Sequence, residues 1–197
     1  MKFFSWLNHL FAAFRNGPQP TLPNSSLQSK ASSIPAQSIS TSEAKANVWQ
    51  ADPRSEKNLA TLEPVTARLA REHLRRLHAA GMNFKITSGR RTFAEQTALY
   101  AKGRTAKGPK VTNARAGYSW HNFGTAYDLT LFSGKNPVWD SPKYTRAGEI
   151  GEELGLEWGG RWKKLVDRPH FQRRMALTLA EARSKWPSGM VSQTAVA

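Results

Sequence analysis

The sequence predicts a mixed fold of helices and strands around one core. Three patterns carry this reading: Leu62, Val65, Leu69, Leu74 and Leu77 recur with helical period, residues 84–87 and 125–131 alternate as strands do, and Ser141 to Gly155 reads as a capped helix. At 197 residues the chain is long enough for one well-formed core plus an appendage and too short for two ordinary enzyme domains.

From the N-terminus, Phe3, Leu7, Leu10, Phe11 and Phe14 sit at helical spacing within residues 2–15, with Ser5, Asn8 and His9 on the other side. That pattern describes an amphipathic helix at residues 1–16 that contacts a membrane surface. A secretory signal is the competing reading, although Asn8 and His9 interrupt its apolar stretch. Residues 17–57 read as a disordered Ser- and Pro-rich linker, because they offer too few large apolar groups to offset the entropy of ordering. A catalytic domain is expected over residues 58–186 and a flexible tail over 187–197.

Within that domain a helix is expected from near Asn58 to Gly81, with Arg68, Arg71, Arg75 and Arg76 on its wet face and His73 in a structural role on its apolar side. Phe84-Lys85-Ile86-Thr87 reads as a strand with Phe84 and Ile86 inward. Thr92 and Glu95 have capping-box spacing, so a helix should start there and run to about Lys102. Residues 103–119 form a loop long enough to expect function or mobility of it. In the next strand Ala126, Asp128 and Thr130 share one face, opposite Tyr127, Leu129 and Leu131. Ser141 and Pro142 suit a helix start and Gly155 its end. A last strand is expected near residues 168–172 and a last helix at 175–186.

Composition narrows the chemistry. The 29 Lys and Arg against 14 Asp and Glu leave a net charge of +15, which favours a polyanionic partner. Residues 1–57 hold six basic and three acidic side chains, so the excess belongs mostly to the folded part. The chain has no cysteine, so disulfides, thiol catalysis and thiolate metal sites are excluded. No run of 18 apolar residues occurs, which argues against a conventional membrane span. No aromatic and basic recognition motif supports nucleic acid as the partner.

Two spacings stand out, His121-x6-Asp128 and Asp167-x2-His170. A catalytic zinc site needs three protein ligands and an open position for water, and two histidines with one carboxylate are an accepted set. Of these four residues three would bind and the fourth would act on the water; Asp167 is the candidate for that general base. Residues three apart in a regular strand point to opposite faces, so an irregularity at Pro169 is needed for Asp167 and His170 to meet. Arg91, between a strand end and a capped helix, suits a substrate carboxylate or developing oxyanion. Taken singly, His121 and Asp128 read more often as a structural histidine and a cap or ion-pair partner. Trp158 and Trp162, beside Gly159-Gly160, read as packing residues first and cleft walls second.

The motifs together resemble a known family. Ser119-Trp120-His121-Asn122-Phe123-Gly124-Thr125-Ala126-Tyr127-Asp128, Asp167-Arg168-Pro169-His170-Phe171, and Ser88-Gly89-Arg90-Arg91-Thr92 with Glu95-Gln96 are similar to the ordered motifs of the LAS-type peptidoglycan peptidases. That family includes D-alanyl-D-alanine carboxypeptidases and the L-alanyl-D-glutamate endopeptidases of bacteria and phage endolysins. Leu99 to Thr105 and Val111 to Ala114 are most like the endopeptidase branch, and the resemblance covers roughly residues 84–172. Arg90 departs from it, since the family commonly has an aromatic or apolar residue there. The resemblance implies an α+β fold with a small, mainly antiparallel sheet and one zinc ion on His121, Asp128 and His170. It also implies a base at Asp167, substrate contact from Arg91, and Ser119 assisting nearby. The implied activity is hydrolysis of peptidoglycan stem peptides at the cell envelope or periplasm, in wall remodelling or phage lysis. The alternatives are a D-alanyl-D-alanine carboxypeptidase and a non-catalytic zinc-containing wall-binding module.

Overall fold

The computed structural model describes residues 49–189. The expectations for residues 1–16, for most of the linker and for the end of the tail fall outside that range. Among the described residues, no helix is long and apolar enough to cross a membrane.

The fold is α+β, with five α-helices and a five-stranded sheet among the described residues. The order is α1 (Pro53–Leu59), α2 (Pro64–Ala79), β1 (Phe84–Ser88), α3 (Phe93–Ala101), β2 (Ala126–Ser133), β3 (Asn136–Val138), α4 (Lys143–Glu153), β4 (Leu156–Trp158), β5 (His170–Arg173) and α5 (Leu179–Lys185). Short 3-10 turns at Trp120–Phe123 and Gly159–Arg161 precede β2 and follow β4. All strand pairs are antiparallel, in the order β1-β2-β5-β4, with β3 pairing the far end of β2.

The helical run expected from Asn58 is two helices. Pro64 occupies the first turn of α2 and Glu63 caps it, accepting from the Val65 and Thr66 amides, so the chain breaks between Leu59 and Pro64. Regular structure also starts earlier than expected, at Pro53, where Asp52 caps α1. α1 is tied to the sheet by its own side chains: Ser55 Oγ accepts from the Ile86 amide at 2.9 Å, and Asn58 Nδ2 donates to the Ile86 carbonyl at 2.8 Å.

One face of the sheet is covered by α2 and α4, and the core lies between. Leu74, Leu77, Phe84, Ile86, Tyr127, Leu129, Tyr144, Ala147 and Phe171 are fully buried there. Each large side chain removed from water in this way stabilises the fold by about 1.5–3 kcal/mol. His73 has the structural role expected of it: it is buried, hydrogen-bonded to the Tyr127 hydroxyl at 2.7 Å and the Ala147 carbonyl at 2.9 Å. Burial lowers its pKa to about 4, so it is neutral in the core. Three of the four arginines on the wet side of α2 are paired, Arg71 with Glu56 and Arg75 and Arg76 with Glu72.

Other elements fall close to expectation, with local differences. The Thr92–Glu95 capping box forms, with both reciprocal bonds present, and α3 ends at Ala101. α4 begins at Lys143, with Ser141 Oγ accepting from the Lys143 amide. The last helix starts at Leu179 rather than 175, because Thr178 and Glu181 form a second capping box. α5 packs with Phe123 and Trp186 into a small separate apolar cluster beside the 3-10 turn. β3 and β4, three residues each, are too short to show a period in the sequence.

Candidate metal centre and cleft

The open face of the sheet carries the candidate site. Asp128 in β2 and His170 at the start of β5 are register partners across adjacent strands, so their side chains emerge side by side. His121 comes from the 3-10 turn that leads into β2. That turn ends on Gly124, whose φ of 73° is the left-handed conformation open to glycine. The Gly124 carbonyl accepts from the Glu63 amide at 2.9 Å, pinning the turn to the start of α2. Glu63 is itself buried and paired with Arg173 at 3.1 Å, which fastens the end of β5 to the same point. Burial opposes its ionisation, but the Thr66 and Val65 amides and Arg173 outweigh that and hold its pKa below the usual value.

His121, Asp128 and His170 each direct one ligand atom to a common point, all within 4.8 Å of one another. His121 Nε2 lies 3.2 Å from Asp128 Oδ1, His170 Nδ1 lies 3.3 Å from the same oxygen, and the two nitrogens are 3.2 Å apart. The outward ring nitrogens are held by fixed acceptors. His121 Nδ1 donates to the Gly89 carbonyl at 2.8 Å and His170 Nε2 to Gln172 Oε1 at 3.0 Å. This fixes each tautomer so that the inward nitrogen is the one available to a metal. A near-equilateral triangle of two imidazoles and a carboxylate oxygen is a donor set suited to one small divalent cation.

The charges of these three groups agree with this. Burial opposes ionisation of Asp128, but the two histidines beside it dominate and hold its carboxyl well below the usual carboxylate range. Burial lowers the pKa of His121. Burial also disfavours a charge on His170, yet the bond to Asp128 outweighs it and raises that pKa. A retained proton on His170 would therefore be released on metal binding.

Arg91 lies at this centre rather than beside it. Its Nη2 donates to Asp128 Oδ2 at 2.6 Å, leaving Oδ1 for the histidines, and Nε and Nη2 also reach Ser88 Oγ. The strand register shifts between Ile86 and Ser88, and this irregularity brings Ser88 opposite Asp128. Arg90 turns away, toward the Gly189 carbonyl, and Arg91 is the arginine that reaches Asp128.

Asp167 is not on a strand. Its carbonyl accepts from the His170 amide at 3.2 Å and its amide donates to the Gly159 carbonyl at 3.0 Å, which makes residues 167–170 a turn. The expected irregularity is this turn, with Pro169 inside it and β5 starting only at His170. Burial raises the Asp167 pKa, and the negative charge of Asp128 adds to the shift. Ser119 lies just before the 3-10 turn, makes no side-chain capping bond, and lines the cleft.

These groups line a cleft of about 560 Å³. Its far wall is the segment Val111 to Ala114 of the long loop after α3, held by Gln96 Nε2 on the Ala114 carbonyl at 2.8 Å. Trp162 lines the cleft against His170, ring centroids 5.0 Å apart, whereas Trp158 is buried and donates to the Arg168 carbonyl. The sequence thus assigned Trp158 correctly to packing, and Trp162 takes its second reading. Gln172 was missed, although its position two residues after His170 puts it on the same strand face. The Gly89 acceptor is a backbone carbonyl, which carries no residue-type signal.

Residues 112–173 match the model of a family described as D-alanyl-D-alanine carboxypeptidase. The peptidoglycan L-alanyl-D-glutamate endopeptidase CwlK of Bacillus subtilis (strain 168) is 41% identical over 102 residues, 47% of this chain and 61% of that protein. The resemblance read from the motifs is thereby borne out. The L-alanyl-D-glutamate peptidase of Listeria phage A118 is 35% identical over 57 residues, covering 27% of this chain and 20% of its own. The chain therefore spans about three-fifths of the length of CwlK and a fifth of that of the phage peptidase. Among solved structures, the Serratia marcescens L-Ala D-Glu endopeptidase ChiX aligns over 66% of this chain and 90% of its own, with 27% identity and a TM-score of 0.48.

Proposed function

We propose that this chain is a zinc-dependent peptidase that hydrolyses peptidoglycan stem peptides, cutting between L-alanine and D-glutamate. The observation that carries the reading is the triangle of His121 Nε2, Asp128 Oδ1 and His170 Nδ1 on the floor of a cleft that also holds Asp167 and Arg91. Its sides of 3.2 to 3.3 Å match the edge of a tetrahedral zinc site, roughly 3.3 Å for zinc–nitrogen bonds near 2.0 Å. When bound, zinc lowers the pKa of a coordinated water and polarises the scissile carbonyl.

The remaining roles fall to the chain itself. Asp167 takes the proton of the attacking water, a task suited to a carboxylate whose proton affinity burial raises. It then delivers that proton to the departing amine. The C–N bond breaks, the water oxygen stays on the L-alanyl carbonyl carbon, and a new amino group is released on D-glutamate. Arg91 holds Asp128 by one oxygen, and its Nη1, without a hydrogen bond among the described residues, remains for a substrate oxygen. Ser119 contributes a further polar group at the cleft wall. Gly89 and Gln172 orient the two imidazoles.

The names of CwlK and of the Listeria phage peptidase support the endopeptidase bond. The description of the matching family model favours a D-alanyl-D-alanine carboxypeptidase as the second reading. Either activity belongs at the cell envelope, in wall remodelling or phage lysis, where a net charge of +15 favours contact with anionic polymers. The catalytic unit extends the expected 58–186 at least to Pro53, since α1 is bonded to β1.

Digestion of purified peptidoglycan with and without chelator, read by mass spectrometry of the fragments, tests the proposal. The expected products end in L-alanine and begin with D-glutamate, vanish with chelator and return with zinc. Release of free D-alanine instead would select the second reading. No new amine over a broad pH range with zinc present would end the enzymatic one.

A further inference from the structure

The cleft does not stop at the metal centre. A second hollow of about 550 Å³ continues it along the open face of the sheet, and the two share Thr87, Thr130 and Trp139 as lining. Thr87 and Thr130 join across β1 and β2 through hydroxyls 2.8 Å apart, forming the floor where one part passes into the other. Beyond that floor the walls are Arg54, Lys85 and Lys135 with Phe132 and Pro137, and no carboxylate lines this part.

Charge and direction define what such a surface accepts. None of the three cations has a carboxylate within salt-bridge distance among the described residues. Lys85 Nζ instead sits over the Phe132 ring, 5.1 Å from its centroid, which positions the ammonium without neutralising it. The nearby acids are engaged elsewhere: Asp52 caps α1 and Asp140 faces Arg168 at 3.4 Å. Trp139 stands 60% exposed at the junction. A neutral sugar would call for carboxylate or amide side chains around the aromatic ring, and this lining supplies cations in their place. From Asp128 to Phe132 is four residues of β2, roughly 13 Å, or three to four residues of an extended peptide.

We infer that this cation-lined arm is a substrate subsite that receives carboxylates of the stem peptide on the far side of the scissile bond from the metal. The inference rests on the peptidase reading above and deepens it. The arm would favour a stem whose free carboxyl groups are ionised and disfavour one in which they are amidated.

The test uses the full chain loaded with zinc and two synthetic stem peptides with the same scissile bond, one with free distal carboxylates and one with amides. Both turnover and binding, by titration calorimetry, are measured for wild type and for Lys85→Gln/Lys135→Gln. Neither lysine touches the metal centre, so metal content and kcat should hold. At low salt, KM and the dissociation constant for the carboxylate peptide should rise roughly tenfold in the variant, about threefold per exposed charge removed. The amidated peptide should behave alike with both proteins, and added salt should erase the wild-type preference. Cleavage of both peptides with equal KM by both proteins overturns the arm and leaves the peptidase reading intact. A carboxylate preference in binding, lost in the variant, with no cleavage of either peptide keeps the arm and ends the peptidase reading. Tighter wild-type binding of a neutral disaccharide than of the carboxylate peptide also overturns it.

Discussion

On one face of β2, Tyr127, Leu129 and Leu131 are closed off beneath α2 and α4; on the other, Asp128, Thr130 and Phe132 floor a cleft, one residue out of phase along the same strand. The closed face depends on volume, because apolar side chains gain by leaving water and lose by leaving voids. The open face depends on direction, because its groups act only if specific atoms converge. Substitutions on the two faces should therefore fail in different assays, although they are neighbours in sequence.

The largest separation is expected from Asp167→Asn. Turnover of peptidoglycan should fall about a hundredfold to ten-thousandfold, while one zinc per chain and the urea midpoint are kept. Turnover equal to wild type would remove Asp167 from the chemistry. Leu129→Ala is the mirror experiment: it should cost about 2–5 kcal/mol in denaturant unfolding and leave the kcat of the protein still folded near wild type. A large loss of kcat without loss of stability would show that the two faces are not separable. The smallest effect is expected from Gln172→Leu, which frees the outward nitrogen of His170. Zinc affinity should drop roughly tenfold to a hundredfold, read by competition with a chelator, with little change in unfolding. Unaltered affinity would mean that the Gln172 bond does not orient the ligand.

How much of this was legible depends on what each residue type can signal. The period of two places Asp128 opposite its apolar neighbours, and the capping pair Thr92 and Glu95 marks a helix start to the residue. Helical period overran the break at Pro64, even though a proline and a capping acid stood there to mark it, because Leu62 and Val65 keep the apolar spacing across the turn. The meeting of Asp167 with His170 required a departure from strand geometry that the sequence could locate, at Pro169, but not describe. The cation-lined arm was invisible, since Arg54, Lys85 and Lys135 lie far apart in the chain and converge only through the pairing of β1 with β2 and the packing of α1.

Gly159 lies against the back of the turn that presents Asp167. A methyl group there would come within 2.5 Å of the Asp167 carbonyl and 3.1 Å of the His170 β-carbon. Any bulkier residue would push the whole presenting segment outward, displacing His170 and the Asp167 carboxylate in one movement. For anyone diversifying this protein to change its preference, that position is a fixed point, and variation belongs instead along the rim of the hollow.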